Sequence, residues 1–354
     1  MITKEKFKTT IGGKQVSLFM LCNSNGIRMS VTNFGARVVE LWVPDKRGDF
    51  KDIVLGYDSI DKYFNNKGER FFGAVCGRFA NRISKGYFCI REKEYHLPLN
   101  NNGQTLHGGL KGFDSVVWDI ISVNDTQLKF RYTSPDMEEG FPGTLLVDMC
   151  YELTDDNEFR ITYKATTDRP TPVNLTHHSF FNLQGEGVGN INNHILQING
   201  SAYIPVNEVL IPFGTCEPVV NTPMDFLKPT TIGSRLNEPF PQLEVAGGYD
   251  HCWVLDGNDK DNIKLAATVW EPVSGRCMEV WTDQPGIQFY GGNFFDGKTP
   301  SKSGHSSYDY RGAFALETQH FPDTPNQPAF PSTLLMPENE YKHTCIYKFL
   351  TKDV

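Results

Sequence analysis

No apolar run in this 354-residue chain approaches the ~18 residues that a membrane-spanning helix needs. Its cysteines, Cys22, Cys76, Cys89, Cys150, Cys216, Cys252, Cys277 and Cys345, form no C-x-x-C pair. A chain of this length does not depend on a disulfide framework, so reduced thiols and a cytoplasmic setting are expected. The opening residues, MITKEKFKTTIGGKQ, lack the apolar stretch of a secretory signal. Basic charge is scarce too. With 34 Lys and Arg against 42 Asp and Glu, the net charge is −8, which argues against nucleic acid or an anionic membrane as the main partner. Several chemistry-bearing motifs are missing: G-x-x-x-x-G-K-[ST], H-E-x-x-H, G-x-S-x-G and a G-x-G-x-x-G that opens a helix. Phosphate cradling, zinc hydrolysis and a nucleophile elbow lose their support with them.

What the chain has is aromatic residues, 12% of the total, which rules out disorder for its bulk. It also has 32 Gly and 21 Pro, a turn-rich supply that favours short strands. Period-2 alternation is the clearest signal. Val16, Leu18, Met20 and Cys22 alternate with mostly polar neighbours, Asn25-Gly26 follows, and Ile27, Met29 and Val31 alternate again. An Asn-Gly between two such runs predicts a hairpin whose central residues take positive φ. Leu145 to Leu153 and Phe159 to Ala165 predict a second hairpin around Asp155-Asp156-Asn157. Further strands are expected at Gln127–Tyr132, Ile263–Trp270, Cys277–Trp281 and His343–Phe349, and a helical turn or two at Ser59–Asn65. No amphipathic helix of twelve or so residues stands out. Strands do not alternate with helices, so the expected fold class is all-β, a large antiparallel sandwich or barrel. No linker, repeat or low-complexity tract divides the chain, so residues 1–354 are expected to form one domain.

Five polar clusters remain as candidate chemistry. They are Gly77–Ile83 with Arg78, Asn81 and Arg82; Leu106–Gly109 with His107; Pro172–Leu183 with His177, His178, Ser179 and Phe180; Gly247–His251 with Asp250; and Ala315–Phe321 with Glu317. Each alone has a bland reading: a buried hydrogen-bonded His, a solvated Glu, a structural Arg. Adjacent His177 and His178 face opposite ways in an extended segment, so only one enters a given site, and no metal is expected there. Together the clusters supply what a sugar site uses. Carboxylates and amides bind hydroxyls, Arg donates to oxygens, and aromatic faces cover the apolar faces of a sugar ring. A His and a Glu in different environments divide acid and base work.

At these residues the chain resembles the galactose mutarotase (aldose 1-epimerase) family. The likeness runs through GRFANRISKG, TLHGGLKGFDSVVWD, EEGFPGTL, PVNLTHHSFFNL, GGYDH, QPGIQFYGGN and LETQ, in that order. It implies a large β-sandwich of galactose mutarotase type and cofactor-free interconversion of the α and β anomers of free aldohexoses. That is isomerase chemistry serving galactose and other hexose metabolism, in a monomer or homodimer. By the same resemblance the catalytic acid falls on His178 and the base on Glu317. Substrate contacts fall on Asn81, Arg82, His107, Asp250 and Gln288, with Ser179 and Phe180 beside the acid. Many relatives carry Asn where this chain has His177, so the register of the His pair needs structural checking. Attraction between His178 and Glu317 is expected to hold both in the charged state. The competing readings are a hexose-phosphate mutarotase, which needs more cations than Arg78 and Arg82; a glycosidase, which needs two carboxylates flanking a bond; and a non-catalytic carbohydrate-binding module, which needs no His–Glu pair.

Overall fold

Along Leu145–Leu153 every second side chain is buried, and Glu158–Thr167 repeats the pattern on the way back. The two pair antiparallel from Leu145 opposite Thr167 to Leu153 opposite Phe159, with Asn157 taking the left-handed turn conformation. In the computed structural model, which describes residues 2–65, 68–257 and 263–352, this pair lies within a nine-stranded sheet. Its order is Asp119–Val123, Gln127–Ser134, Leu145–Leu153, Glu158–Thr167, Tyr341–Thr351, Arg276–Thr282, Lys264–Trp270, Ile195–Ile198 and Thr230–Thr231. The four further strands expected from the sequence all fall in this sheet and differ only at their ends. His343, Cys345, Tyr347 and Phe349 share its buried face.

Two smaller sheets cover that face. One holds Leu18–Cys22, Arg28–Thr32, Arg37–Pro44 and Phe50–Asp52; the other holds Glu217–Pro218, Ala202–Ile204, Asp250–Val254, Gly286–Tyr290 and Ala315–Gln319. A continuous apolar core joins the layers. Tyr151, Ile161 and Tyr347 of the large sheet meet Met29, Val31 and Leu41 of the first small sheet and Trp253, Phe289 and Leu316 of the second. The architecture is an antiparallel β-sandwich. The helical turn at Ile60–Phe64 lies where the sequence places it.

Two local expectations change. The first hairpin is not a two-residue Asn-Gly turn. Strands Leu18–Cys22 and Arg28–Thr32 pair as expected, but five residues connect them, and only Gly26 has positive φ. The Asn23 side chain accepts the N–H groups of Asn25 and Ile27 and so replaces the tight turn. The apolar face also switches along the first strand. Val16 and Leu18 are buried, Met20 and Cys22 are exposed, and Leu21 is buried instead. Leu18 packs into a second, smaller apolar cluster and Leu21 into the main one, so the strand serves two cores in turn.

One buried ionic knot ties the first small sheet to the loops above it. Asp114 is fully buried, with Arg37 3.5 Å away and Arg70 forked onto both of its oxygens at 2.8 Å. Arg37 also donates to the carbonyls of Arg70, Phe72 and Asp114. Removing the carboxylate leaves Arg37 buried and unpaired. Asp114→Ala is therefore expected to cost about 3–5 kcal/mol, read as a fall in the urea midpoint. A shift of a few tenths would show that the carbonyls alone hold the guanidinium.

Candidate active site

Strand alternation builds the floor of the cleft. Glu317 lies opposite Gln288, Gln288 opposite Cys252, and Asp250 opposite Tyr290. Residues two apart face the same way, so Asp250, Tyr290, Gln288 and Glu317 share one face of the sheet. Their in-between neighbours Trp253, Ile287, Phe289 and Leu316 go to the core. Gln288 Nε2 donates to Asp250 Oδ1 at 2.7 Å and fixes that carboxylate.

A short strand, Thr176–His178, pairs with Ala74–Cys76 and brings His178 over this floor. Its Nε2 stands 3.4 Å from Glu317 Oε1. The imidazole stacks against two phenylalanine rings, Phe180 at 4.6 Å and Phe71 at 5.9 Å between centroids, both near parallel to it. His177 points the other way, as alternation requires. Its ring contacts Ser179 Oγ at 2.6 Å and the Tyr151 hydroxyl at 3.2 Å inside the core. The register of the His pair is thus settled with His178 in the cleft.

The third wall is the pairing of Arg82–Ile83 with Thr105–Leu106. It closes with Asn81 and His107 in left-handed backbone, each bonded to the other: His107 N–H donates to Asn81 O, and Asn81 N–H donates to His107 Nδ1. Gly108 has φ +91, and a Cβ there would lie 1.9 Å from the carbonyl oxygen of Gly77, so only glycine allows this approach. Because Nδ1 of neutral His107 accepts, its proton is on Nε2, which makes the other side of the ring a donor. Ligand atoms of His107, His178 and Glu317 lie within 4.8 Å of one another, near enough to hold an ion. A cation on His107 Nε2 would have to break the bond from Asn81. The donor set therefore fits hydroxyl binding better than coordination.

One cavity of about 330 Å³ collects these groups. It is lined by Asn81, Arg82, His107, His178, Phe180, Asp250 and Glu317 of the residues expected from the sequence. Two expected residues are elsewhere. Ser179 is buried, faces away from His178 and bonds to His177. Gln288 lies behind Asp250 and reaches the site through it. Arg78 is not in the cleft either, since its guanidinium donates to backbone carbonyls from Ser134 to Gly143. The sequence reading missed Glu69, Arg70, Phe71, Asn100, Asn101, Tyr290 and Phe294. Alternation from Gln288 would have found Tyr290; nothing in the local pattern marks the segment 68–71. A larger groove, about 700 Å³, runs past Lys46, Lys51 and Glu271 but brings no imidazole to a carboxylate.

Electrostatics correct the expectation of a standing ion pair. Burial lowers the His178 pKa to about 3, and Arg37 adds to the effect. Burial first, then Asp250 and Glu69, push Glu317 well above the usual carboxylate range, against the pull of Arg82. Desolvation thus outweighs mutual attraction, and burial favours a neutral imidazole facing a protonated carboxyl group. Burial also raises Asp250 and lowers His107. Among the described residues Glu317 Oε2 is buried without a hydrogen-bond partner, the kind of atom that a polyhydroxylated ligand satisfies.

Comparison with known proteins shows the family. A family model described as Aldose 1-epimerase matches residues 17–348. A galactose mutarotase of Bos taurus is 44% identical over 339 residues, covering 96% of this chain and 95% of that one. The aldose 1-epimerase of Escherichia coli K12 is 37% identical over 342 residues, covering 96% and 97%. Among solved structures, an aldose epimerase homologue from C. elegans superposes with a TM-score of 0.85 at 27% identity, covering 96% of this chain and all of that one. A galactose 1-epimerase from Lactobacillus acidophilus gives 0.83 at 27% identity, covering 97% of each.

The aromatic plates around His178 have a measurable effect. Phe71→Ala admits water to one face of the ring, so the His178 pKa should climb from about 3 toward the ordinary ~6.5. An NMR pH titration of its ring proton reads this directly. An unchanged midpoint would mean that Phe71 does not keep the ring dry.

Proposed function

The chain belongs to the aldose 1-epimerase family, and we propose that it interconverts the α and β anomers of free aldohexoses such as D-galactose and D-glucose, with His178 and Glu317 moving the protons. The observation that carries the mechanism is the 3.4 Å approach of His178 Nε2 to Glu317 Oε1 in a cleft otherwise lined with hydroxyl-binding groups.

Mutarotation breaks and remakes the bond between C1 and the ring oxygen. Glu317 as carboxylate takes the proton of the C1 hydroxyl while His178 as imidazolium protonates the ring oxygen. The C1–O5 bond breaks, C1 becomes a carbonyl, and rotation about C1–C2 presents its other face. On closure the carboxyl group returns its proton to the carbonyl oxygen and the imidazole takes back the one on O5. The pair begins and ends with one mobile proton. After ring opening that proton is on Glu317 and His178 is neutral, the distribution that burial favours. Arg82 and the hydroxyls of bound sugar favour the carboxylate needed at the start. Asp250, fixed by Gln288, accepts from sugar hydroxyls, and His107 donates through Nε2.

The alternatives lack support from the cleft. A hexose-phosphate mutarotase needs free cations, yet Arg78 is spent on carbonyls and Arg70 on Asp114. A carbohydrate-binding module has no use for a dry acid–base pair. Free thiols at all eight cysteines support a reducing, cytoplasmic compartment, and among the described residues no helix is long and apolar enough to cross a membrane. A core drawing on residues from Leu21 to Phe349 supports one domain. We further propose that the protein acts as a monomer or homodimer without a cofactor.

Polarimetry of freshly dissolved α-D-galactose tests the assignment. Wild-type protein should speed the decay of rotation, and Glu317→Gln or His178→Asn should each lower kcat by about 10²–10⁴-fold; retention of activity by either variant removes that residue from the mechanism. The pH profile tests the charge state. Only the singly protonated pair is active, because full protonation leaves no base and full deprotonation leaves no acid. With His178 lowered to about 3 and Glu317 raised, kcat/KM should fall on the acid side near about 3 and on the alkaline side well above the carboxylate range. Limbs at the ordinary ~4.3 and ~6.5 of solvated Glu and His would show that the pair is not desolvated in solution.

A further inference from the structure

The segment Gly68–Phe71 adds a carboxylate that the mechanism does not use. Glu69 lines the same cleft as Asp250 and Glu317. It is firmly held: Oε1 accepts the N–H of Phe71 at 2.8 Å, and its backbone carbonyl accepts the Tyr57 hydroxyl at 3.0 Å. Tyr57 in turn packs edge-on against Tyr63 and Phe72. A backbone N–H, rather than a cation, thus positions this acid. Its charge acts on both Glu317 and Tyr290 on the cleft floor.

Burial raises the pKa of the Glu69 carboxyl group, and the two arginines that pull it back toward ionisation, Arg37 and Arg70, are both held by Asp114. Arg70, next in sequence, forks onto Asp114 with Nε and one terminal nitrogen and gives the other to the carbonyl of Gly109. Arg82 bonds to Asn101 Oδ1, and its charge acts on Asp250 and Glu317. Among the described residues, three carboxyl groups therefore line a cavity of about 330 Å³ with one arginine, Arg82, that is not already committed to a carboxylate of the scaffold. An anionic substrate meets its own sign of charge on whichever of these carboxyl groups is ionised, in a cleft where water screens little.

We propose that Glu69 makes the cleft charge-selective, turning away sugars that carry a negative charge, such as uronic acids and sugar phosphates, while neutral and ammonium-bearing hexoses enter. The proposal rests on the mutarotase reading and adds the residue that sets the charge of its substrates. Glu69 lies on a wall formed by a loop and acts on binding rather than on bond breaking.

Three reducing sugars that differ mainly in charge test it by polarimetry at about pH 6, where an amino sugar is protonated. They are D-galactose, D-galacturonate and D-galactosamine. For wild type, kcat/KM on galacturonate should be below about one-tenth of that on galactose, and the gap should narrow between ~0.01 M and ~1 M salt as charges are screened. Glu69→Gln keeps the length and the acceptor for Phe71 N–H. It should raise the galacturonate-to-galactose ratio about tenfold and lower the galactosamine-to-galactose ratio, chiefly through KM. Glu69→Lys should move both ratios further in the same directions. Because each ratio is internal to one enzyme, a partly misfolded variant does not distort it. Ratios that stay within twofold of wild type in both variants, with galactose activity retained, overturn the role of Glu69 and leave the mutarotase reading intact. Failure of wild type to accelerate galactose mutarotation overturns that reading and this proposal with it.

Discussion

Removal of water from an imidazole that faces a carboxyl group is the condition on which the site depends. In water, His178 and Glu317 would each be solvated, and a proton would sit firmly on one of them. Beside the rings of Phe71 and Phe180, and against a sheet whose far face is core, neither group holds charge easily. The preference of water is thereby reversed, with the mobile proton on Glu317 rather than on His178. A reaction that moves one proton from sugar to protein and another from protein to sugar then needs little reorganisation around either group.

The sandwich supplies that dryness because one set of strands does two jobs. Period-2 alternation sends Trp253, Phe289 and Leu316 into the interior and leaves Asp250, Tyr290 and Glu317 on the opposite face. The packing that fixes the apolar residues also fixes the register of the polar ones. A slip by one residue would bury the acids in the core and expose Trp253, which the core energetics forbid. Precision at the site is thus inherited from the sheet and not built separately by a loop.

The same periodicity explains which parts of the site were legible in the sequence. The hairpin Leu145–Leu153 with Glu158–Thr167, the edge-to-core pattern of Tyr341–Thr351 and the opposed directions of His177 and His178 all follow from alternation, and all are present. The resemblance to a sugar-isomerising family placed His178, Glu317, Asn81, Arg82, His107 and Asp250 in one cleft. It also drew in Ser179, although alternation from His178 already points that residue into the core. Segment 68–71 was invisible because its place is set by distant partners. Arg70 is located by Asp114, forty-four residues on, and Glu69 by Tyr57 and a backbone amide. Such non-local bonds leave no periodic trace. The protonation state was misjudged for a related reason: attraction between two charges can be imagined from residue types, whereas the cost of burying them requires knowing what surrounds them.

The arginines carry this distinction further. Arg37, Arg78 and Arg276 are buried, and each is satisfied largely by backbone carbonyls: Arg70, Phe72 and Asp114 for the first, Ser134 to Gly143 for the second, Val43, Leu183 and Asp49 for the third. A guanidinium spreads five donors in a plane, which suits it to gathering carbonyls where chain segments cross without a common sheet. In these places the positive charge belongs to the scaffold and offers nothing to a ligand. Arg82 differs because its short strand ends at the cleft, so its charge acts on Asp250 and Glu317. In sequence Arg78 and Arg82 look alike, four residues apart among glycines and apolar neighbours. What separates them is that one side chain is spent on carbonyls while the charge of the other reaches Asp250 and Glu317, and that difference decides the charge a substrate encounters.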